Sequence, residues 1–206
     1  MIVPNYTPED LKKLPLRAIV ALGARCARRV EHLALLPNNH RESERCRTAV
    51  GAALRTAEDF ARGLPCRSLE SVVREIEVCQ AIGEGVFAHD MAMAAVVRAA
   101  HAAATALHAV DLRDEPEEPH PFGAAKPNPF SHLADITADR AAGDVFTAAV
   151  EAAGADGHSD QFFEGSIEDY QKLLRLGLGN YPEVGEPIDP ARNGPLGPLE
   201  PEDSLH

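Results

Sequence analysis

Tryptophan is absent from this 206-residue chain, and it has only three tyrosines and seven phenylalanines. A core built on large rings is therefore excluded. No aromatic residues interleave with the arginines, which removes the base-stacking platform that single-strand nucleic-acid binders use. Cysteine is also sparse. Cys26, Cys46, Cys66 and Cys79 contain no Cys-x-x-Cys pair, so a zinc site of closely spaced thiolates is not expected, and the thiols read as reduced. Phosphate-cradling, dinucleotide-binding and nucleophile-elbow glycine motifs are missing. No uncharged apolar run reaches 18 residues, and Met1-Ile-Val-Pro-Asn-Tyr6 lacks a basic segment followed by an apolar one. The expectation is a soluble, cytoplasmic protein with no membrane association. Strand-length alternation is absent too, so no sheet is expected.

What the chain has instead is alanine at helical spacing. Alanine is the best helix former and buries little area, which points to helices that approach closely. Thr7-Pro-Glu-Asp10 predicts a short helix opening at Pro8. A longer one runs from Pro15 to about Leu36, with Leu16, Ile19, Leu22, Cys26, Val30 and Leu33 along one stripe. Residues 41–62 repeat the pattern as an antiparallel neighbour, and 68–83 form a third segment. Residues 88–110 are the most apolar stretch and the expected central helix. Helix resumes after Ser131 with Leu133, Ile136 and Val145 inward. Ser166-Ile-Glu-Asp169 resembles a capping box that would start the last helix.

The expected architecture is an all-α bundle of four to five main helices within residues 1–179. An acidic, proline-rich crossover loop spans 111–130, and a proline- and glycine-punctuated tail, 180–206, lies outside the helical core.

Three groups of residues could carry function. Arg98, His101, Thr105 and His108 form a narrow polar stripe on the apolar helix. With His89 and Asp90 they are the candidate metal or polar site; no cofactor is the first expectation, and a divalent metal is the alternative. His89-Asp90 resembles the dipeptide of the all-helical HD-type metal-dependent phosphohydrolases. That resemblance implies His32 or His40 and Asp111 or Asp135 as fellow ligands. Capping explains the dipeptide better, because Asp90 favours the positive end of a helix dipole.

The second group is Arg25, Arg28, Arg29, Arg41 and Arg45, on faces of two adjacent helices. They could bind phosphate, an acidic protein segment or nucleic acid, since arginine forms paired bonds with oxyanions. The net charge of −12 argues against nucleic acid in general, yet residues 1–75 carry +4 and the remainder −16. The third group is Ile188, Leu196 and Leu199, apolar anchors spaced along extended, polyproline-prone backbone.

Together these features suggest a non-catalytic protein-interaction or scaffold module that binds a protein partner or itself. A metal-binding helical bundle or metal-dependent hydrolase using the His/Asp cluster is the first alternative, and phosphate or nucleic-acid binding by the arginine hairpin is the second.

Overall fold

The computed structural model describes residues 6–36, 40–65, 87–114, 130–157, 159–191 and 193–199. The chain is an all-α bundle, and the described residues contain no strand and six α-helices. They are α1 (Pro8–Leu11), α2 (Leu16–Arg29), α3 (Ser43–Ala61), α4 (Phe87–Asp114), α5 (Ser131–Asp156) and α6 (Ser159–Leu176). The expected 68–83 helix, Cys66 and Cys79 fall outside the described residues, as do residues 115–129 of the expected crossover, whereas residues 111–114, expected to open that loop, are the last turn of α4.

Local chemistry sets several boundaries. Thr7 Oγ1 accepts the Asp10 N–H while the Asp10 carboxylate accepts the Thr7 N–H, so α1 opens on a reciprocal cap. Helix α2 stops at Arg29, well before Leu36. The chain tightens there through Val30 into a 3₁₀ turn at Glu31–Leu33, in which Leu33 N and Ala34 N donate three residues back.

Helix α6 begins at Ser159, seven residues before the expected start. Ser166 is buried in mid-helix and shares a 2.6 Å hydrogen bond with Tyr6 Oη instead of capping anything. Gly165 does not break the helix. Its missing side chain leaves room for the Arg29 guanidinium, whose Nη2 and Nε would lie 3.3–3.4 Å from an added Cβ.

Helices α4 and α5 form a long antiparallel pair. Arg98 of α4 meets Asp144 of α5, and Arg113 meets Asp135. Near the other end, an added Cβ at Gly154 would lie 2.9 Å from Met91 Cε. Alanines such as Ala99 and Ala106 on α4, and Ala142 and Ala149 on α5, are wholly buried. Because alanine faces inward, larger residues are displaced to the outside: Leu133 and Ile136, expected inward, are 46% and 53% exposed. The stretch Ala88–Asp114 is apolar and long enough to cross a membrane by length and composition, with half of it buried inside the bundle.

The central helix is α2, not the 88–110 stretch. Every residue from Ala18 to Ala27 is buried, and α2 packs on α3, α4, α5 and α6. At Gly23 an added Cβ would lie 2.9 Å from Val145 Cγ2, so α2 and α5 meet almost backbone to side chain. The remaining side of α2 is closed by the C-terminal segment. Ile188 is 4% exposed and Leu196 0%, and both belong to the main hydrophobic core, so this segment is not outside it.

Candidate functional site: an arginine clamp under the C-terminal segment

Four-residue steps along α2 place Arg25 and Arg29 on one side of the helix, with α6 beside them. Asp169, on α6 and 1% exposed, receives both: Arg25 Nε at 2.7 Å and Arg29 Nη2 at 2.6 Å, each on Oδ2. Arg25 is wholly buried, and its other donors go to the C-terminal segment. Nη1 donates to Pro190 O at 3.1 Å and Gly197 O at 3.0 Å, and Nη2 to Pro198 O at 2.8 Å. Arg29 Nε donates to Leu199 O at 2.7 Å, and Lys172 Nζ of α6 donates to Leu196 O at 3.0 Å. A buried guanidinium costs several kcal/mol in lost hydration unless its donors are matched, and here one carboxylate and three carbonyl oxygens match them.

The same segment also finishes two helix ends. Pro15, before α2, offers no side-chain cap, so the first-turn N–H groups need other acceptors. Leu16 N donates to Glu183 O at 2.9 Å and Arg17 N to Val184 O at 3.0 Å. Arg17 Nη1 adds a bond to Gly185 O at 2.8 Å. At the far end of α3, Ile188 N donates to Ala61 O at 2.8 Å and Arg62 Nε to Asp189 Oδ1 at 2.8 Å.

At its root, the segment is held by Tyr181 Oη donating to Asp139 and by Arg113 Nη1 donating to Pro182 O. Burial pushes the Asp139 carboxyl up, but the Tyr181 and Lys12 hydrogen bonds outweigh it and hold its pKa below the ordinary value. From Glu183 to Leu199 the segment thus follows α2 from its N-terminal end to its C-terminal end. Proline suits this path, since it presents a carbonyl without an N–H to be satisfied.

No family model, curated protein or solved structure matches this chain.

The expected arginine face does not exist as one surface. Arg25 is internal. Arg28 is tied to Glu58 at 2.6 Å and Glu31 at 2.7 Å; burial opposes its charge, but these two carboxylates hold its pKa above the ordinary value. Arg41 and Arg45 are exposed, 3.6 and 3.8 Å from Glu42. Of the tail anchors, Ile188 and Leu196 are buried and Leu199 is half-buried.

The histidine candidates are not brought together. His89 is 5% exposed with Nδ1 3.2 Å from Leu33 O, while its Nε2 and Asp90 Oδ1 are buried without hydrogen-bond partners. His101 is half-buried, and its carbonyl accepts from Thr105 Oγ1; His108 is exposed. Arg98 is paired with Asp144 at 3.0 Å. His32 and Asp111 are exposed, His40 is half-buried with its Nδ1 accepting the Glu42 N–H at 3.2 Å, and Asp135 is paired with Arg113. Among the described residues no three His, Cys, Asp or Glu side chains converge as a metal site would require. Cys26 and Cys46 are free and buried, and burial pushes the Cys26 thiol up, the opposite of an activated nucleophile.

Sequence reasoning missed Asp169 and the role of Arg25. A usable signal was present: residues 18–24, Ala-Ile-Val-Ala-Leu-Gly-Ala, contain no polar group on any face. A helix apolar all round is a buried one, so the arginine that follows had to find partners inside.

Proposed function

We propose that this protein is a non-catalytic interaction module, a helical bundle that holds an extended, acidic, proline- and glycine-punctuated segment along α2 between α3 and α6. Its own C-terminal segment is the resident ligand. The observation that carries this reading is the donor set of Arg25: three of its bonds end on main-chain carbonyls of that segment. Recognition through carbonyls is indifferent to most side chains, while the sites filled by Ile188 and Leu196 select apolar residues at set positions. Charge supports the same partner class. Residues 180–206 carry six carboxylates against one arginine, and the groove offers Arg17, Arg25, Arg29, Arg62 and Lys172. A partner segment of like composition would compete for the same groove.

The test cuts the connection after folding. A protease site placed at Gly179-Asn180, where both residues are exposed, is cleaved in the native protein. The released 180–206 fragment is then challenged with excess labelled peptide of the same sequence. The expected outcome is that the fragment co-elutes with the bundle until the peptide replaces it, with saturable binding. Immediate loss of the fragment while the bundle stays helical would refute the reading.

A further inference from the structure

Where the clamp ends, the C-terminal segment leaves a small opening. A pocket of about 40 Å³ lies between α2 and α6, walled by Arg29, Gly165, Glu168, Asp169, Lys172, Pro198 and Leu199. A water needs roughly 10–15 Å³ of such space, so the pocket accommodates a few waters or one small ion, and no drug-sized ligand.

The side chain of Arg29 is 8% exposed, and its Nη1 is buried with no hydrogen-bond partner. The fork edge of the same guanidinium is fully used, by Leu199 O, Gly165 O and Asp169. Phe162 lies 5.9 Å from the guanidinium carbon, which gives a ring-face attraction but no acceptor in the plane of the idle N–H groups. Buried charged donors are the most costly polar groups to leave unpaired, so an idle one beside a cavity marks a place for an acceptor.

Lys172 supplies a second donor. One of its three hydrogens goes to Leu196 O, Glu168 stands 3.8 Å away, and its side chain is 35% exposed, so the pocket is reachable from solvent. Asp169 does not make the site acidic, since its Oδ2 already takes both Arg25 and Arg29. The charges in the wall balance, Arg29 and Lys172 against Glu168 and Asp169, and Arg25, bonded to the same Asp169 from outside the wall, adds one positive charge nearby.

We propose that this pocket binds one small oxyanion, phosphate or carboxylate, between Arg29 and Lys172, with Pro198 and Leu199 closing it. Because the C-terminal segment forms one wall, the anion binds the docked state better than the undocked state and stabilises docking by the same coupling. The site stands independently of the interaction-module reading, since it concerns an ion bound with the chain's own segment in place.

The full-length protein is titrated with inorganic phosphate and, separately, with sodium acetate, each at ionic strength matched with sodium chloride. Binding is read by calorimetry and by melting temperature. The expected result is a saturable binding isotherm for at least one anion, with a melting-temperature rise of about 3–6 °C at ten times its Kd. K172R retains the response and K172M weakens it at least about tenfold, the loss of one charge-assisted bond. A rise that only grows linearly with concentration, as exclusion of phosphate from any protein surface produces, overturns the proposal. So does a K172M protein that responds like the parent. Should K172M fail to fold, the parent's calorimetry decides alone: no binding heat for either anion up to about 50 mM, a range wide enough to catch a millimolar site, overturns it.

Discussion

Replacing Arg25 by methionine keeps most of the buried volume and removes the four hydrogen bonds that Arg25 donates to Asp169 and the C-terminal segment. Asp169, 1% exposed, is left with Arg29 alone, and Pro190 O, Gly197 O and Pro198 O lose their partner on α2. Breaking a buried ion pair from one side costs about 3–5 kcal/mol. The orphaned carbonyls would add about 1–3 kcal/mol each if they stayed dry, but undocking lets them reach water, and the methionine regains some apolar burial. A loss of about 4 kcal/mol follows, a large share of the roughly 5–15 kcal/mol that holds a domain together. For a chain of this size it corresponds to a melting point lower by about 8–16 °C.

Urea unfolding followed by far-ultraviolet circular dichroism measures it, with R41M as control, because Arg41 is 90% exposed and 3.6 Å from its ion-pair partner Glu42. The control should shift by less than about 0.5 kcal/mol. In R25M/D169L the buried carboxylate goes too, so the double variant should be more stable than the sum of the single losses by at least about 1 kcal/mol. An R25M loss below about 1 kcal/mol, the level of a surface pair, would refute the clamp.

Leu196→Ala empties a wholly buried site and should cost about 2–4 kcal/mol, with faster proteolysis within residues 183–199 before the bundle unfolds; L199A should cost much less. Gly23→Leu should cost at least about 1–3 kcal/mol by denaturant midpoint, because a Cβ there already meets Val145 Cγ2 at 2.9 Å. Glu151→Gln should stabilise the protein at neutral pH: burial first, and then Asp144, raise the Glu151 pKa despite Arg98, so its ionised form is a burden above that raised pKa. The gain should vanish as pH falls below the ordinary glutamate value of 4.5, where both states are protonated. Tyr181→Phe should weaken the opposite dependence of Asp139. Its lowered pKa contributes stability that is present above 3.8 and lost as pH falls through the folded-state value, so the variant's acid unfolding should be less steep there.

The helical class and most helices were legible because alanine and aliphatic residues recur at helical spacing, as in Cys46, Val50, Ala53, Leu54 and Ala57 of α3. The rank order of burial was not. The 88–110 stretch has the higher mean hydropathy, but one side of α4 faces outward, with Leu107 37% exposed. Helix α2 carries Arg17, Arg25, Arg28 and Arg29, and the spacing of the last three reads as a charged face open to a ligand. What reverses the order is a set of acceptors that charge patterning cannot register: neutral carbonyls of Gly185, Pro190, Gly197, Pro198 and Leu199, more than 160 residues away in sequence. Ser166-Ile-Glu-Asp169 misled for a related reason. Serine and aspartate favour helix starts when exposed, whereas here each has a specific buried partner, Tyr6 for one and two arginines for the other.

The central claim is that residues 183–199 complete the bundle around α2. Native-state hydrogen exchange at three amides tests it most directly: Leu16 and Arg17, which donate to Glu183 and Val184, and Ile188, which donates to Ala61. Protection of all three close to that of mid-α2 amides, lost together in R25M, is the predicted result. Ile188 exchanging at the rate of an unstructured peptide while mid-α2 stays protected would contradict it.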